Sequence, residues 1–314
     1  MADRGASRQL TEAGPPLYRQ AWLPEGPARG QVVLVHGFGD HGGRLGPLVE
    51  PFVAAGLAVH ALDLPGHGRS PGPRGHIGNW HEYGDAVLDL LGAIRPTAPQ
   101  PPRPTFLFGH SLGGVIVLEL GLRSGEALAS GFGLRGVVVS APALSPVGAR
   151  RPLLEALSRP LTRLWPGFSL DLHLDRRALS RLIDDPVVYP DDPLVHRRIS
   201  ARMASETLAA LARTRAQAGS WRLPLLVQHG SADRLADPAA SQAFVAAARA
   251  GGATDVELRF YEGGLHELHH DLEAAASIAD HLAWIERHLP ATPAMPATPA
   301  TNASLGRLLG EGGV

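Results

Sequence analysis

The strongest constraint on this chain is an alternation running through it, in which short apolar runs give way to stretches with the spacing of amphipathic helices. The runs Val32–Val35, Ala58–Asp63, Thr105–Phe108, Val137–Ser140, Leu225–Gln228 and Val256–Tyr261 read as strands, and Leu45–Ala55, Trp80–Ile94, Leu112–Leu122, Ala239–Ala250 and Leu272–His288 read as helices. Strands that are apolar on both faces need cover on both, and a helix between consecutive strands supplies the length of a parallel crossover. The pattern predicts an α/β fold, a mostly parallel sheet flanked by helices, over residues 17–143 and 221–290. The interval from Ser140 to Leu223 is too long for one crossover, so a helical insertion over residues 144–220 is expected as a lid above the strand ends.

Composition narrows the classes of function. A hydrophobic content of 44% in 314 residues is enough for a core, and a formal net charge of -1 points to no nucleic-acid or acidic-lipid partner. Cysteine is absent, which excludes a disulfide framework and a thiolate metal site. The polar stretch 1–16 has no signal-peptide core and is expected to be flexible. No uncharged apolar run reaches the roughly 20 residues of a spanning helix, so a cytoplasmic protein is the expectation. Residues 291–314 repeat Ala-Thr-Pro and end in glycines, a composition expected to stay disordered.

Chemistry enters at Phe106-Leu107-Phe108-Gly109-His110-Ser111-Leu112-Gly113-Gly114, where an apolar strand passes through Gly-x-Ser-x-Gly straight into a helix. So abrupt a turn forces the serine into a strained conformation with its hydroxyl exposed, while the glycines let the backbone cross itself closely. A serine hydroxyl needs a base within hydrogen-bond reach, and the base needs an acceptor that fixes its tautomer. Hydrolases built on this turn place the three in the order Ser, acid, His. Asp233 follows the strand at Leu225 and His266 follows the strand at Val256, both in loops at carboxyl ends of strands, where open α/β sheets gather their catalytic groups. Asp63 and Asp237 are the alternative acids, but Asp63 follows a different strand and Asp237 stands at a helix N-cap before Pro238. After the strand ending at Val35 comes His36-Gly37-Phe38-Gly39-Asp40-His41, and the backbone N–H groups of Phe38 and Leu112 are the candidate oxyanion hole.

These segments resemble those of the serine α/β-hydrolases of the monoacylglycerol lipase and lysophospholipase family. The resemblance is carried by His36–Arg44, Asp63–Gly72, Gly109–Gly114, Gly230–Asp233 and Tyr261–His269, which match that family's ordered motifs across residues 17–290. It implies an α/β-hydrolase fold with a lid, a catalytic triad of Ser111, Asp233 and His266, no cofactor, and cleavage of a small lipid ester, foremost monoacylglycerol to glycerol and fatty acid. Lysophospholipase or general carboxylesterase activity is the alternative. It further implies that Asp40, Arg44, Tyr189 and His269 bind the alcohol portion of the substrate, although Asp40 stands where glutamate is commoner and Leu45 where an aromatic is commoner. Within the insertion, Leu161, Leu164, Trp165, Phe168, Leu170, Leu172 and Leu174 either pack the lid down or form an acyl-chain entrance that touches membrane or micelle surfaces peripherally.

Two rival classes remain in view. His266-Glu267-Leu268-His269-His270 spells His-Glu-x-x-His, the signature of a zinc hydrolase with His266 and His270 as ligands and Glu286 as a third. That motif needs an unbroken helix, whereas Gly263, Gly264 and a strand precede it here, and zinc leaves the serine turn unexplained. A non-catalytic hydrolase-like interaction protein is the other, disfavoured because all three triad members are present.

Overall fold

In a computed structural model, which describes residues 17–96, 100–147, 162–172 and 175–290, the apolar runs become strands of one seven-stranded sheet. In chain order the strands are β1 (Arg19–Trp22), β2 (Gly30–Val35), β3 (Leu57–Leu62), β4 (Thr105–His110), β5 (Leu134–Ser140), β6 (Ser169–Asp171), β7 (Arg198–Ser200), β8 (Leu225–Gly230) and β9 (Val256–Tyr261). The sheet runs β1-β3-β2-β4-β5-β8-β9, parallel throughout except for β1, which pairs antiparallel with β3. Strands β2, β3, β4 and β8 are buried along their whole length, which is why they read as apolar on both faces.

Helices cover both faces, as the alternation of side chains along a strand demands. Val32, Leu34, Phe106 and Phe108 pack with Leu48 and Phe52 of α1 (Gly46–Ala54) and Trp284 and Ile285 of α6 (Ala274–His288). Val33, Val35, Leu107, Val137 and Val139 face α2 (His81–Ile94), α3 (Leu112–Phe132) and α5 (Pro238–Ala250), through Val87, Val115 and Phe244 among others. Helix α3 starts directly on the end of the sheet because position 113 is glycine: a Cβ there would overlap the carbonyl oxygens of Val35 and His36.

Three features depart from the sequence expectations. Strand β1 was not foreseen; its four residues are all half-buried and Arg19-Gln20-Ala21-Trp22 has neither an apolar run nor alternation. Helix α3 runs on to Phe132, past Leu122, through a non-helical residue at Ser124. The segment 144–220 is not all helical: its described part holds α4 (Ala201–Ala216) and a two-stranded antiparallel ribbon of β6 and β7. Pro186, Pro190 and Pro193 account for the irregular stretch between, since each removes a helical donor. Leu164, Trp165 and Leu170 of this segment are exposed at 85%, 63% and 53%, whereas Phe168 and Leu172 are half-buried. Leu161, Leu174 and the terminal segments 1–16 and 291–314 lie outside the described residues. Among the described residues no helix is long and apolar enough to cross a membrane.

Candidate active site

The loops that leave the carboxyl ends of β2, β4, β8 and β9 lie along one edge of the sheet. Between β4 and α3 the chain turns within a single residue, and Ser111 adopts φ 52° and ψ -114°. Positive φ at a non-glycine residue costs on the order of 1–3 kcal/mol and persists only where the surroundings over-determine it. Here the Ser111 N–H donates to Ser140 O at 3.0 Å and the Ala143 N–H donates to Ser111 O at 3.1 Å, tying the turn to the loop after β5. The Ser111 hydroxyl donates to His266 Nε2 at 2.9 Å, and His266 Nδ1–H donates to Asp233 Oδ2 at 2.7 Å. This tautomer leaves the Nε2 lone pair facing the hydroxyl, the arrangement a base needs.

Asp233 is surrounded by donors. Its Oδ1 accepts from the N–H groups of Leu235 at 2.8 Å and Ala236 at 3.0 Å, and its Oδ2 also accepts from His229 Nε2 at 3.0 Å. His229 Nε2 faces a second acceptor, Ala236 O at 3.2 Å, so it carries the proton, and Nδ1 then accepts from the Ser241 hydroxyl at 2.8 Å. Burial by itself would raise the Asp233 carboxyl, but the charge of His266 and the hydrogen bonds from His229 and His266 outweigh it and hold the group ionised. For His266 the balance runs the other way: burial lowers it, and Asp233 with Glu267 raises it above the ordinary value of 6.5.

The other two aspartates have structural work. Asp63 accepts from the N–H groups of Gly42 at 2.8 Å and Arg69 at 2.7 Å, and Asp237 caps α5 through the Ala239 N–H at 3.0 Å. The His36-Gly37-Phe38 loop packs on the nucleophile turn, where a Cβ on Gly37 would lie 3.2 Å from the Ser111 Cβ. Phe38 is thus one residue from that contact, and Leu112 opens α3, whose first N–H groups have no partner within the helix.

Beside this line of Ser111, His266 and Asp233 lies a polar wall. Arg44 Nε meets Asp40 Oδ1 at 3.0 Å, and Arg44 Nη2 meets Glu267 Oε2 at 3.1 Å. The same Glu267 oxygen accepts from the Tyr189 hydroxyl at 2.7 Å and lies 3.0 Å from His270 Nδ1. Three of the four residues the resemblance points to, Asp40, Arg44 and Tyr189, are therefore brought together, through a carboxylate that the sequence reading assigned only to the zinc motif. Burial would raise Glu267, yet the His270 hydrogen bond and the Arg44 charge hold it well below the usual carboxylate range; Asp40 is pushed up by burial, against the pull of Arg44. His269, the fourth, is 2% exposed, stacks edge-on to His110 at 4.9 Å, and has neither ring nitrogen paired. Burial holds His269 well below its ordinary value, helped by His270 and His110, so the ring is neutral.

The zinc arrangement does not form. His266 precedes a single 3-10 turn, Leu268–His270, with both its nitrogens already engaged, and Glu286 pairs with Arg29 at 2.6 Å. Among the described residues, Glu267, His269 and His270 do offer ligand atoms within 4.8 Å of one another. The Glu267 oxygen there is occupied by the Arg44, Tyr189 and His270 donors.

A strained serine at the end of a central strand, backed by a buried imidazole and carboxylate from later strand ends, places the chain among the serine α/β-hydrolases. Over residues 26–273 the sequence matches the model of Hydrolase_4, serine aminopeptidase, S33, and the chain belongs to that family of serine hydrolases. It is 36% identical over 270 residues to a monoacylglycerol lipase of Mycolicibacterium smegmatis, covering 85% of this chain and 92% of that one. The crystal structure of Paleococcus ferrophilus monoacylglycerol lipase superposes with a TM-score of 0.75 at 34% identity, over 87% of this chain and 99% of that one. A soluble variant of monoglyceride lipase from Saccharomyces cerevisiae, in complex with a substrate analog, has a TM-score of 0.79 at 20% identity, over 92% and 97% of the two chains, which is a likeness of fold.

Proposed function

We propose that this protein hydrolyses monoacylglycerol to glycerol and a fatty acid by acyl transfer through Ser111. The observation that carries the reading is the continuous hydrogen-bonded line from Ser111 Oγ through His266 to Asp233, in a chain 36% identical to a monoacylglycerol lipase along 85% of its length. In the first step the Ser111 oxygen attacks the ester carbonyl carbon while His266 Nε2 takes the hydroxyl proton; Asp233 supports the imidazolium. The N–H groups of Phe38 and Leu112 hold the oxygen that becomes negative, a pair of donors of which each is worth about 3–4 kcal/mol in such sites. His266 then passes its proton to the glycerol oxygen, which leaves, and the acyl group remains on Ser111. In the second step a water loses its proton to His266, attacks the acyl carbon and frees the fatty acid, and the proton returns to Ser111.

Asp40, Arg44, Tyr189 and His269 form the wall that receives the glycerol head. Residues 144–220 act as the lid, joined to the loops at the strand ends through the Tyr189–Glu267 hydrogen bond and through Asp192, which lies 2.8 Å from His41 Nε2. Leu164, Trp165 and Leu170, exposed on that segment, supply the apolar surface for transient contact with a lipid aggregate. The test is fatty-acid release from monoacylglycerols, diacylglycerols, lysophospholipids and short aryl esters by wild type and Ser111→Ala. Preference for monoacylglycerol with a loss of more than about 10³-fold in the variant is expected; aryl-ester cleavage alone would overturn the lipid substrate, and a still-active variant would overturn the nucleophile.

A further inference from the structure

We propose that Glu267 determines specificity: by taking up the charge of Arg44 beside the triad, it makes this wall accept an uncharged, hydroxyl-bearing head group and reject a phosphate-bearing one. The inference rests on the reading of the wall as the head-group site and goes beyond it by naming what the wall excludes.

Arg44, the guanidinium of this cluster among the described residues, is held between two buried carboxylates, at 3.0 Å from Asp40 and 3.1 Å from Glu267. Arginine is the side chain that recognises phosphate through paired donors, and here its Nε and Nη2 already face carboxylates from within the protein. A phosphate arriving at this place meets an arginine already neutralised by Glu267 beside a second carboxylate, Asp40, in a buried setting where repulsion is weakly screened. Asp192, facing His41 at 2.8 Å, adds a further acidic group nearby.

The second observation is His269. Its ring is buried, both nitrogens lack partners, and it lies against His110, whose ring in turn lies 4.9 Å from that of His266. A neutral imidazole offers one donor and one acceptor. A hydroxyl, which both donates and accepts, can satisfy either nitrogen; a phosphate dianion only accepts and leaves one nitrogen bare. Unmet polar groups in a buried site are what reject a mismatched substrate. A monoacylglycerol brings two such hydroxyls to the site, whereas its phosphate ester brings one hydroxyl and a group that only accepts.

The test compares kcat/KM for 1-lauroylglycerol and for lauroyl glycerol 3-phosphate, identical but for the phosphate, in wild type and Glu267→Gln. The glutamine keeps an acceptor for Tyr189 and removes the charge. Wild type should favour the neutral lipid at least 100-fold, and the variant should lower that ratio 10-fold or more, chiefly through KM for the phosphate lipid. Because the readout is a ratio within one protein, a general loss of activity cancels. Should Glu267→Gln fail to fold, Asp40→Asn frees the other side of Arg44 and must move the ratio in the same direction. A ratio unmoved in the folded variants overturns the proposal while leaving monoacylglycerol hydrolysis intact. A wild type that cleaves p-nitrophenyl laurate but not 1-lauroylglycerol overturns the substrate reading itself, and the proposal with it.

Discussion

His266 is held between two opposing influences. Burial pulls its imidazole down, but Asp233 at 2.7 Å and the charge of Glu267 carry it above 6.5. In the proposed mechanism only the neutral ring takes the Ser111 proton, so protonation should end catalysis. The acid limb of kcat/KM is therefore expected above pH 6.5, with a tenfold loss per pH unit below it. Asp233→Asn leaves burial as the dominant influence and should move the limb below 6.5, together with a drop of about 10⁴-fold in kcat. A pH–rate profile of both proteins on a neutral aryl ester checks this, and an acid limb at the same pH in both would mean that Asp233 does not set the base. The hydrogen-bonded line of Ser111, His266 and Asp233 was legible in the chain, because Gly109-His110-Ser111-Leu112-Gly113 and the ends of two strands announce it. Its supports were not. His229 donates to the acid from within β8, where it reads as one more buried strand residue, and Glu267 owes its importance to Tyr189 and Arg44, which lie 78 and 223 residues away in the chain. No local pattern encodes partners at such separations.

At the scale of elements, the close approach of α3 to β2 aligns the nucleophile with the loop carrying Phe38. Glycine at 113 permits it, because any Cβ would overlap the Val35 and His36 carbonyls, backbone at the end of β2 that cannot easily move aside. Gly131, near the far end of the same helix, has nothing within 4 Å of its Cβ position. Gly113→Ala should cost more than about 3 kcal/mol, by overpacking against backbone, and abolish activity. Gly131→Ala should instead gain about 0.5 kcal/mol, as expected for an unhindered helical glycine. Urea unfolding of the two variants decides the matter, and similar effects at both sites would contradict the packing account. Most elements could be read in advance for the same physical reason that they are stable: β2, β3, β4 and β8 are buried on both faces, and α2, α5 and α6 each bury one stripe. Half-buried β1, added to the sheet edge by pairing Arg19–Trp22 with β3, gave no apolar signal. The ribbon of β6 and β7 was hidden because each strand is only three residues long, and its pairing joins Ser169 to Ser200 across a long irregular connection.

For the molecule as a whole, the unusual quantity is the number of imidazoles sealed inside it. His36, His60, His67, His110, His269 and His281 are all buried, and burial is the first cause that lowers each: His60 to about 4, His67, His110 and His281 to about 3, His36 and His269 well below the ordinary 6.5. A folded value below the unfolded one means that each ring contributes stability fully above pH 6.5 and loses it as pH falls toward the folded value, since the unfolded chain binds the proton first. His266, raised above 6.5, acts in the opposite sense and is a single group. Carboxylates held low, such as Asp233, Glu267 and Asp271, add their own acid lability only below their unfolded values of 3.8 to 4.5. The two classes thus occupy different windows. Between pH 6.5 and about 4.5 the imidazoles dominate, each able to contribute about 1.4 kcal/mol per pH unit, while Asp40, pushed up by burial to about 7, opposes them as a single group. Several titrating together reach the 5–15 kcal/mol that a folded domain has in reserve within about two units. Stability from urea unfolding should hold level from pH 8 to 7, turn downward near 6.5 and fall with a slope of several protons by pH 5. A curve that stays flat until below pH 4.5 would assign the acid lability to carboxylates and remove the buried histidines from the account.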